Sequence, residues 1–398
     1  MRVIITGASG FIGTRIIPFL KKQKVELLLV GRDTDKLKAL FPQDQVTSYA
    51  DLKKRARGYH ALVHLAVMNN DKSDSIDQFR DANVILLSEV LNAVRSAGVK
   101  LFINTTTLHS ARGRHVSNYA QTKWEGEKRL SEIDDIAVIN IRLPAVYGST
   151  FAGKLANLSK LPAFLSPIAF KVLASLKPTV NVDLVAEEIL NSLGKVTSLE
   201  TIVSDRQHNN QVYQAIKRIL DLTFVLLVVL VFWWVLLTAW LAVKLTSPGP
   251  GIFAQTRIGK NGGNFTCYKF RTMLQGTEIA GTHELTTDSV TTVGYFLRKT
   301  KIDELPQIWN ILKGEMSLVG PRPCLPNQRK LIKKRIELGV LDVCGGITGW
   351  AQIQGVDMAD PCRLAKLDSE YLVLRTVFLD LKIILATAIG RGQGDRVR

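Results

Sequence analysis

Residues 1–20, MRVIITGASGFIGTRIIPFL, decide how the first half of the chain folds. Val3, Ile4 and Ile5 form an apolar run, glycines stand at 7, 10 and 13, and an apolar-periodic stretch follows to Leu20. That order reads as a buried strand, a tight turn and a helix. Glycines at these places let the backbone approach a pyrophosphate seated on the helix N-terminus, where N–H groups and the helix dipole favour anions. A glycine triplet can also arise from close strand–helix packing. The strand before and the helix after it make Gly7, Gly10 and Gly13 candidate cofactor-binding residues. Because Met1 to Thr6 already reads as a strand, no signal peptide is expected there.

A second strand, VELLLVGRD at 25–33, ends in Gly31-Arg32-Asp33. An acid at this strand end holds ribose hydroxyls, whereas an arginine accommodates a 2′-phosphate. Arg32 therefore points to NADP, with NAD and Asp33 on the ribose as the alternative. Further strands, ALVHLAV at 61–67 and LFINTTT at 101–107, alternate with helical stretches, the pattern of a doubly wound parallel sheet. Tyr119 and Lys123 lie four residues apart, on one face of a helix. An ammonium there lowers the phenol pKa and prepares tyrosine to exchange a proton with a carbonyl or hydroxyl.

With IRLPAVYG at 141–148 and NVDLVA at 181–186, these motifs resemble the extended short-chain dehydrogenase/reductase family of nucleotide-sugar enzymes, over about residues 1–205. The resemblance implies that Tyr119 is the acid/base, Lys123 its partner and ribose ligand, and Thr107 the hydroxyl bonded to the substrate oxygen. Asp51 and Leu52 join the glycines and Arg32 in the implied cofactor site. Thr107 stands closer to Tyr119 than is usual in that family, so Thr106 is a rival. Leu108 and His109 occupy the places of the Asp-Glu pair of dehydratases, which argues against dehydration. Reduction of a 4-keto sugar, or 4-epimerisation, survives. The region after Gly148 is short, so a non-catalytic dinucleotide-binding or docking module is the alternative.

Composition bounds the partners. The 398 residues carry a formal charge of +17, which suits phosphorylated ligands or an anionic bilayer. Nucleic acid is not expected, because no zinc-finger, helix-turn-helix or aromatic-basic signature accompanies the charge. Four cysteines without CxxC spacing indicate neither a zinc site nor a disulfide framework.

Leu222 to Val243 is a run of 22 residues without a charge, enough helix to cross a hydrocarbon core about 30 Å thick. Yet basic residues flank both ends: Lys217 and Arg218 before it, and Lys244, Arg257, Lys260, Lys269 and Arg271 after it. The positive-inside rule puts both flanks in the cytoplasm. A helix that enters and returns on one face satisfies this. With no proline present, its turn is expected at Phe232-Trp233-Trp234.

Beyond the membrane segment come KLTSPGPG, TCYKFRTM, RKTKIDELPQIWNILKGEMSLVGPRP and GGITGWAQIQG. Lys269 and Arg271 alternate with Tyr268 and Phe270, as on a strand with one cationic face. Asp303 and Glu304 open an amphipathic helix marked by Leu305, Ile308, Trp309 and Leu312, near Arg298, Lys299 and Lys301. Pro321 and Pro323 fix the backbone around Arg322, whose guanidinium matches phosphate oxygens. These blocks, in this order, resemble the bacterial sugar transferases, monotopic polyprenol-phosphate phosphoglycosyl transferases, over about residues 213–390. The resemblance implies Asp303 as nucleophile, Glu304 as the partner that holds Mg²⁺, and Arg322 as a phosphate clamp. Arg271 is a second candidate for substrate phosphate. Trp350 could line the pocket or pack in the core, and Tyr371 to Ile389 could lie in the membrane interface or in the core.

The whole reading is an α/β chain in three parts. A Rossmann-type reductase-like domain spans 1–205, a membrane-inserted helix 213–246, and a small α+β transferase domain 247–398. The expected function is bifunctional. The first domain reduces a UDP-4-keto-6-deoxy-N-acetylhexosamine with NAD(P)H, and the last passes the sugar-1-phosphate from a UDP-sugar to undecaprenyl phosphate with release of UMP. The expected location is the cytoplasmic face of a bacterial inner membrane, with a homo-oligomer left open.

Overall fold

The apolar runs RVIIT, ELLLV and ALVH are too short for helices and bury both faces, which makes them interior strands of a parallel sheet. The computed structural model, which describes residues 1–68, 75–110, 117–151, 153–277 and 289–391, places them side by side. In chain order the strands are β1 (Arg2–Thr6), β2 (Glu26–Val30), β3 (Gln45–Thr47), β4 (Ala61–His64), β5 (Leu101–Thr107), β6 (Ala137–Leu143), β7 (Ala145–Tyr147), β8 (Thr179–Asn181) and β9 (Leu199–Ile202). Seven of them form one parallel sheet in the order β3-β2-β1-β4-β5-β6-β9. Val3 and Ile5 face one core with Ile16, Ile17 and Leu20, while Ile4 faces the other with Val90, Leu91 and Val94. Helices on both sheet faces make this the doubly wound α/β architecture expected from the sequence. The strand order reverses between β1 and β4, so a crevice opens at their C-terminal ends, where the glycines lie.

The chain divides into two compact units, one of Met1–Phe170 with Pro178–Asp205, the other of Lys171–Lys177 with Arg206–Arg398. In the second unit, β10 (Ile252–Ile258) and β11 (Asn264–Phe270) form an antiparallel hairpin. A parallel pair, β12 (Met316–Val319) and β13 (Gly345–Thr348), is surrounded by helices.

The long apolar segment is not one helix. Gln211–Val231 ends at Phe232, whose φ of −108° and ψ of 15° are not helical, and Trp233–Thr246 continues in a new direction. Among the described residues no single helix is long and apolar enough to cross a membrane, but this pair is so jointly, bent by 69°. Val225 packs against Ile311 and Met316 on the first arm, and Ala239 and Val243 against Phe270 and Leu297 on the second. The bend itself, Leu230 to Trp234, is exposed.

Two other expectations about helices change. Asp303 and Glu304 lie in a 3₁₀ turn, Ile302–Gln307, and the α-helix Ile308–Lys313 follows it. Asn310 and Ile311 are its buried side chains, while Trp309 and Leu312, expected on the core face, are exposed. Tyr371 to Ile389 is interrupted too: Pro361–Leu374 ends at Arg375, and Thr376 caps Val377–Ala388 by accepting from the Leu379 amide. Tyr371, Leu372 and Ile383 are core, whereas Phe378, Leu385 and Ile389 are exposed. Trp350 packs against that same cluster, which favours its core role.

Candidate active sites

In the second unit, three segments bring charge to one place. Lys301 takes up a left-handed conformation (φ 59°), an uncommon state for a non-glycine residue, and reverses the chain after the helix Thr292–Thr300. The turn that follows holds Asp303 and Glu304, both 8% exposed. Lys269 reaches Glu304 from β11 and Arg322 from the loop after β12. Both cations donate to Oε1 of Glu304, Lys269 Nζ at 2.9 Å and Arg322 Nη2 at 2.6 Å.

The neighbouring carboxyls are driven apart. Burial raises the Glu304 pKa, but the Arg322 guanidinium and the Lys269 ammonium more than reverse this and hold it well below the ordinary carboxylate range. Burial, and then the Glu304 charge, push Asp303 up to about 6, against Lys269, Arg322 and Arg298. One carboxylate is fixed as an anion and the other made more basic, a division that suits a nucleophile beside an ion-holding partner.

The loop bearing Arg322 is held through its carbonyls, because prolines on either side supply no N–H. The Pro321 carbonyl accepts from the Gly346 amide at 2.9 Å and that of Arg322 from Arg335 Nη1 at 2.8 Å. The next two accept from Arg257 Nη1, at Pro323, and the Ile258 amide, at Cys324, each at 2.9 Å. A Cβ on Gly346 would lie 2.1 Å from the Gly320 nitrogen, so only glycine permits this approach. Arg335 is buried and paired with Asp368 at 2.7 Å. Sequence reading left Lys269, Arg257, Arg335 and Asp368 out of the site. Basic residues in a basic chain carry no local mark, and each partner is remote in sequence.

Arg271 is placed otherwise than expected. Its guanidinium donates to the carbonyls of Pro248 and Ser247 and to the Ser247 hydroxyl, tying down the chain as it leaves the second apolar arm. It is a structural clasp, and the substrate-phosphate reading is not carried forward.

In the first unit, Gly7 has φ +69°, and a Cβ there would lie 2.6 Å from the Ala66 amide nitrogen. On Gly13 it would lie 2.6 Å from the carbonyl oxygens of Gly7 and Ala8. Gly10 meets only the Gly7 carbonyl, at 3.2 Å, and is exposed. The helix Gly13–Lys22 starts without a side-chain cap, and the Thr14 and Arg15 amides donate to the Gly10 and Ile12 carbonyls. Arg32 is exposed after β2, and Asp33 caps the next helix by accepting from the Lys36 amide at 2.9 Å. Asp51 is bonded to Ser48, and Leu52 is buried in the second sheet core.

Tyr119 and Lys123 share the helix Asn118–Ser131. Lys123 is buried and donates to the Thr105 carbonyl at 2.9 Å; burial lowers its pKa to about 8, with Glu127 opposing. Thr106 donates to Glu127 at 2.5 Å, and Glu127 also binds Ser110 and pairs with Arg142 at 2.6 Å. Thr107 closes β5 and accepts from the His109 amide at 3.4 Å. Thr106 is thus tied through its hydroxyl into a buried charge network.

Two family models divide the chain. Residues 3–179 match the NAD dependent epimerase/dehydratase family, and residues 212–391 match the bacterial sugar transferases. The uncharacterized sugar transferase EpsL of Bacillus subtilis is 40% identical over 43% of this chain and 85% of its own length. This chain therefore belongs to the bacterial sugar transferase family, with an epimerase/dehydratase-family domain in front. The undecaprenyl-phosphate glucose phosphotransferase of Komagataeibacter xylinus is 42% identical over 43% of this chain and 35% of that protein. The UDP-glucose:undecaprenyl-phosphate glucose-1-phosphate transferase of Escherichia coli is 40% identical over 44% and 40%. The chain thus spans less than half the length of these two relatives. A solved UDP-N-acetylglucosamine 4-epimerase from Bacillus cereus resembles 51% of this chain and 78% of its own, at 16% identity and a TM-score of 0.40.

Proposed function

We propose that the second unit transfers a sugar-1-phosphate from a UDP-sugar to undecaprenyl phosphate at the cytoplasmic face of a membrane. The observation that carries this is the buried Asp303–Glu304 pair, split in proton affinity and gripped by Lys269 and Arg322. A carboxylate oxygen of Asp303 attacks the phosphorus that bears the sugar, and the P–O bond to UMP breaks, with UMP taking the electron pair. An oxygen of the lipid phosphate then attacks the phosphosugar-aspartyl intermediate and restores the Asp303 carboxylate. Arg322 and Lys269 hold phosphate oxygens and offset the charge that would repel an anionic attacker.

The two adjoining carboxylates fit Mg²⁺, which takes one or two protein carboxylates and completes its shell with phosphates and water. Glu304, with Asp303 beside it, would hold that ion; when bound, it supplies charge neutralisation at the diphosphate. The bent apolar pair acts as a re-entrant anchor. In its support, both arms pack onto this same unit: Lys217 donates to the Val319 carbonyl and Arg218 to that of Ile311, while Trp240 abuts Gly251.

For the first unit, the reading is an NAD(P)H-dependent reductase of a UDP-4-keto-6-deoxy-N-acetylhexosamine. The crowded Gly7 and Gly13 cradle and the uncapped helix fit a dinucleotide, which would supply the hydride. Tyr119 delivers the proton to the nascent oxyanion, Lys123 favours the phenolate, and Thr107 orients the substrate oxygen. A non-catalytic docking role is the second reading, favoured by the short stretch between β7 and β8, one 3₁₀ segment and the helix Ser166–Leu176. Purified protein given 4-keto nucleotide sugars, with NADPH loss and UMP release followed separately, tests both units. UMP release without NADPH oxidation by any substrate would select the docking role.

A further inference from the structure

A cavity of about 350 Å³ lies within the second unit, lined on one side by the start of the helix Gln211–Val231. Among its lining residues the cations Lys217, Arg218, Lys260 and Arg375 outnumber the acids Asp221 and Asp342. Asp221 is engaged by the Ser317 hydroxyl at 2.9 Å and the Leu318 amide at 2.7 Å. Lys217 is shared among Asp380, the Val319 carbonyl and the Tyr371 hydroxyl, and Arg218 sits on the carbonyls of Ile311 and Leu312. Lys260 is exposed at the cavity, and among the described residues Arg375 donates through Nε alone, to the Arg206 carbonyl, while its guanidinium lies over the Tyr213 ring. The lining thus keeps a positive excess, beside an apolar wall of Met316, Val319 and Val343.

We propose that this cavity binds a small soluble molecule carrying a phosphate group. Lys260 and the Arg375 guanidinium recognise the phosphate, and the apolar wall with Tyr213 receives the remainder of the molecule. The size lies at the small end of the range for small-molecule sites, about 300–1,000 Å³, and leaves room for more than a bare ion. A lipid headgroup is disfavoured by the helix itself. Tyr213, Lys217 and Asp221 share one face, and Val225 continues that face towards the apolar bend, where it is sealed against Ile311 and Met316. The Val319 carbonyl held by Lys217 is three residues before Arg322, so an occupant that draws Lys217 away would be felt in the Arg322 loop. None of this depends on the transfer reaction proposed above.

Cys344 lines the cavity and is partly exposed, while Cys267 and Cys324 are buried, so Cys344 can report occupancy once exposed Cys362 is changed to Ser. Full-length Cys362→Ser protein is alkylated with N-ethylmaleimide, and modification of Cys344 is timed by mass spectrometry. The probes are ribose 5-phosphate, inorganic phosphate and a short-chain phosphatidate. Ribose 5-phosphate should slow the reaction by about tenfold at ten times its Kd, and inorganic phosphate by less at equal concentration. Lys260→Glu should remove the protection and Arg322→Ala should retain it. No protection by ribose 5-phosphate, protection that survives Lys260→Glu, or protection lost in Arg322→Ala would overturn the site. Better protection by the phosphatidate would overturn its assignment to a soluble ligand.

Discussion

The two candidate sites treat a buried charge in opposite ways. Around Glu304 the cations are already in place, two on one carboxylate oxygen, so that cluster is assembled before any substrate arrives. Lys123 has a backbone carbonyl and, among the described residues, no carboxylate within ion-pair distance; Glu127, one turn away, is taken by Arg142. An unbalanced buried ammonium is costly, and burial accordingly brings its pKa down to about 8. The Asp303–Glu304 cluster is thus pre-organised by its own residues, whereas the Lys123 charge has no counter-ion within ion-pair distance among the described residues.

The sharpest way to break this contrast is to exchange the sites' fates. Asp303→Asn should reduce UMP release to background without unfolding, since an amide cannot attack phosphorus. Tyr119→Phe should abolish NADPH oxidation and leave transfer of a supplied reduced sugar intact. Loss of both activities in a folded Tyr119→Phe protein would end the idea of two independent sites.

The buried pair behind Arg322 separates stability from positioning. Asp368→Leu alone leaves the Arg335 charge unpaired and should cost about 3–5 kcal/mol in denaturant unfolding. Adding Arg335→Met should restore most of that stability, because apolar replacement of a buried ion pair is near neutral. Transfer should stay impaired, with kcat falling more than KM rises, because the Arg322 carbonyl has lost its donor. Recovery of activity together with stability would reduce the pair to scaffold.

A pH-dependent effect should appear in the acid stability of the first unit. His64 is wholly buried; burial, and then the Lys123 charge, lower its pKa from 6.5 to about 3. Between those values the unfolded chain binds the proton and the folded chain does not. Its contribution is therefore full above pH 6.5 and is lost as pH falls towards 3, at about 1.4 kcal/mol per unit. His64→Gln should flatten the acid limb of a thermal-midpoint profile relative to the parent. An unchanged limb would mean that this burial is relieved by local opening. Smallest of all, Arg32→Ala should weaken NADPH more than NADH; equal weakening would return the ribose to Asp33.

The sequence by itself determined what is local or periodic. Gly7, Gly10 and Gly13 after a buried strand announced the sheet and its crevice. Arg298 to Pro323 announced the transferase, and the basic flanks pointed to a segment that returns on one face, with its turn expected at Phe232-Trp233-Trp234. Asp303 and Glu304 were legible because they are adjacent, and Arg322 because prolines enclose it. Only the tertiary structure decided which cations serve the site. Lys269 and Arg271 are two residues apart on one strand and look equivalent in the sequence, yet one grips Glu304 and the other clasps Ser247 and Pro248. Arg335 finds Asp368 and the Arg322 carbonyl across segments that meet only on folding. A charge acts through its distance to a partner, and for residues remote along the chain that distance exists only in the packed molecule.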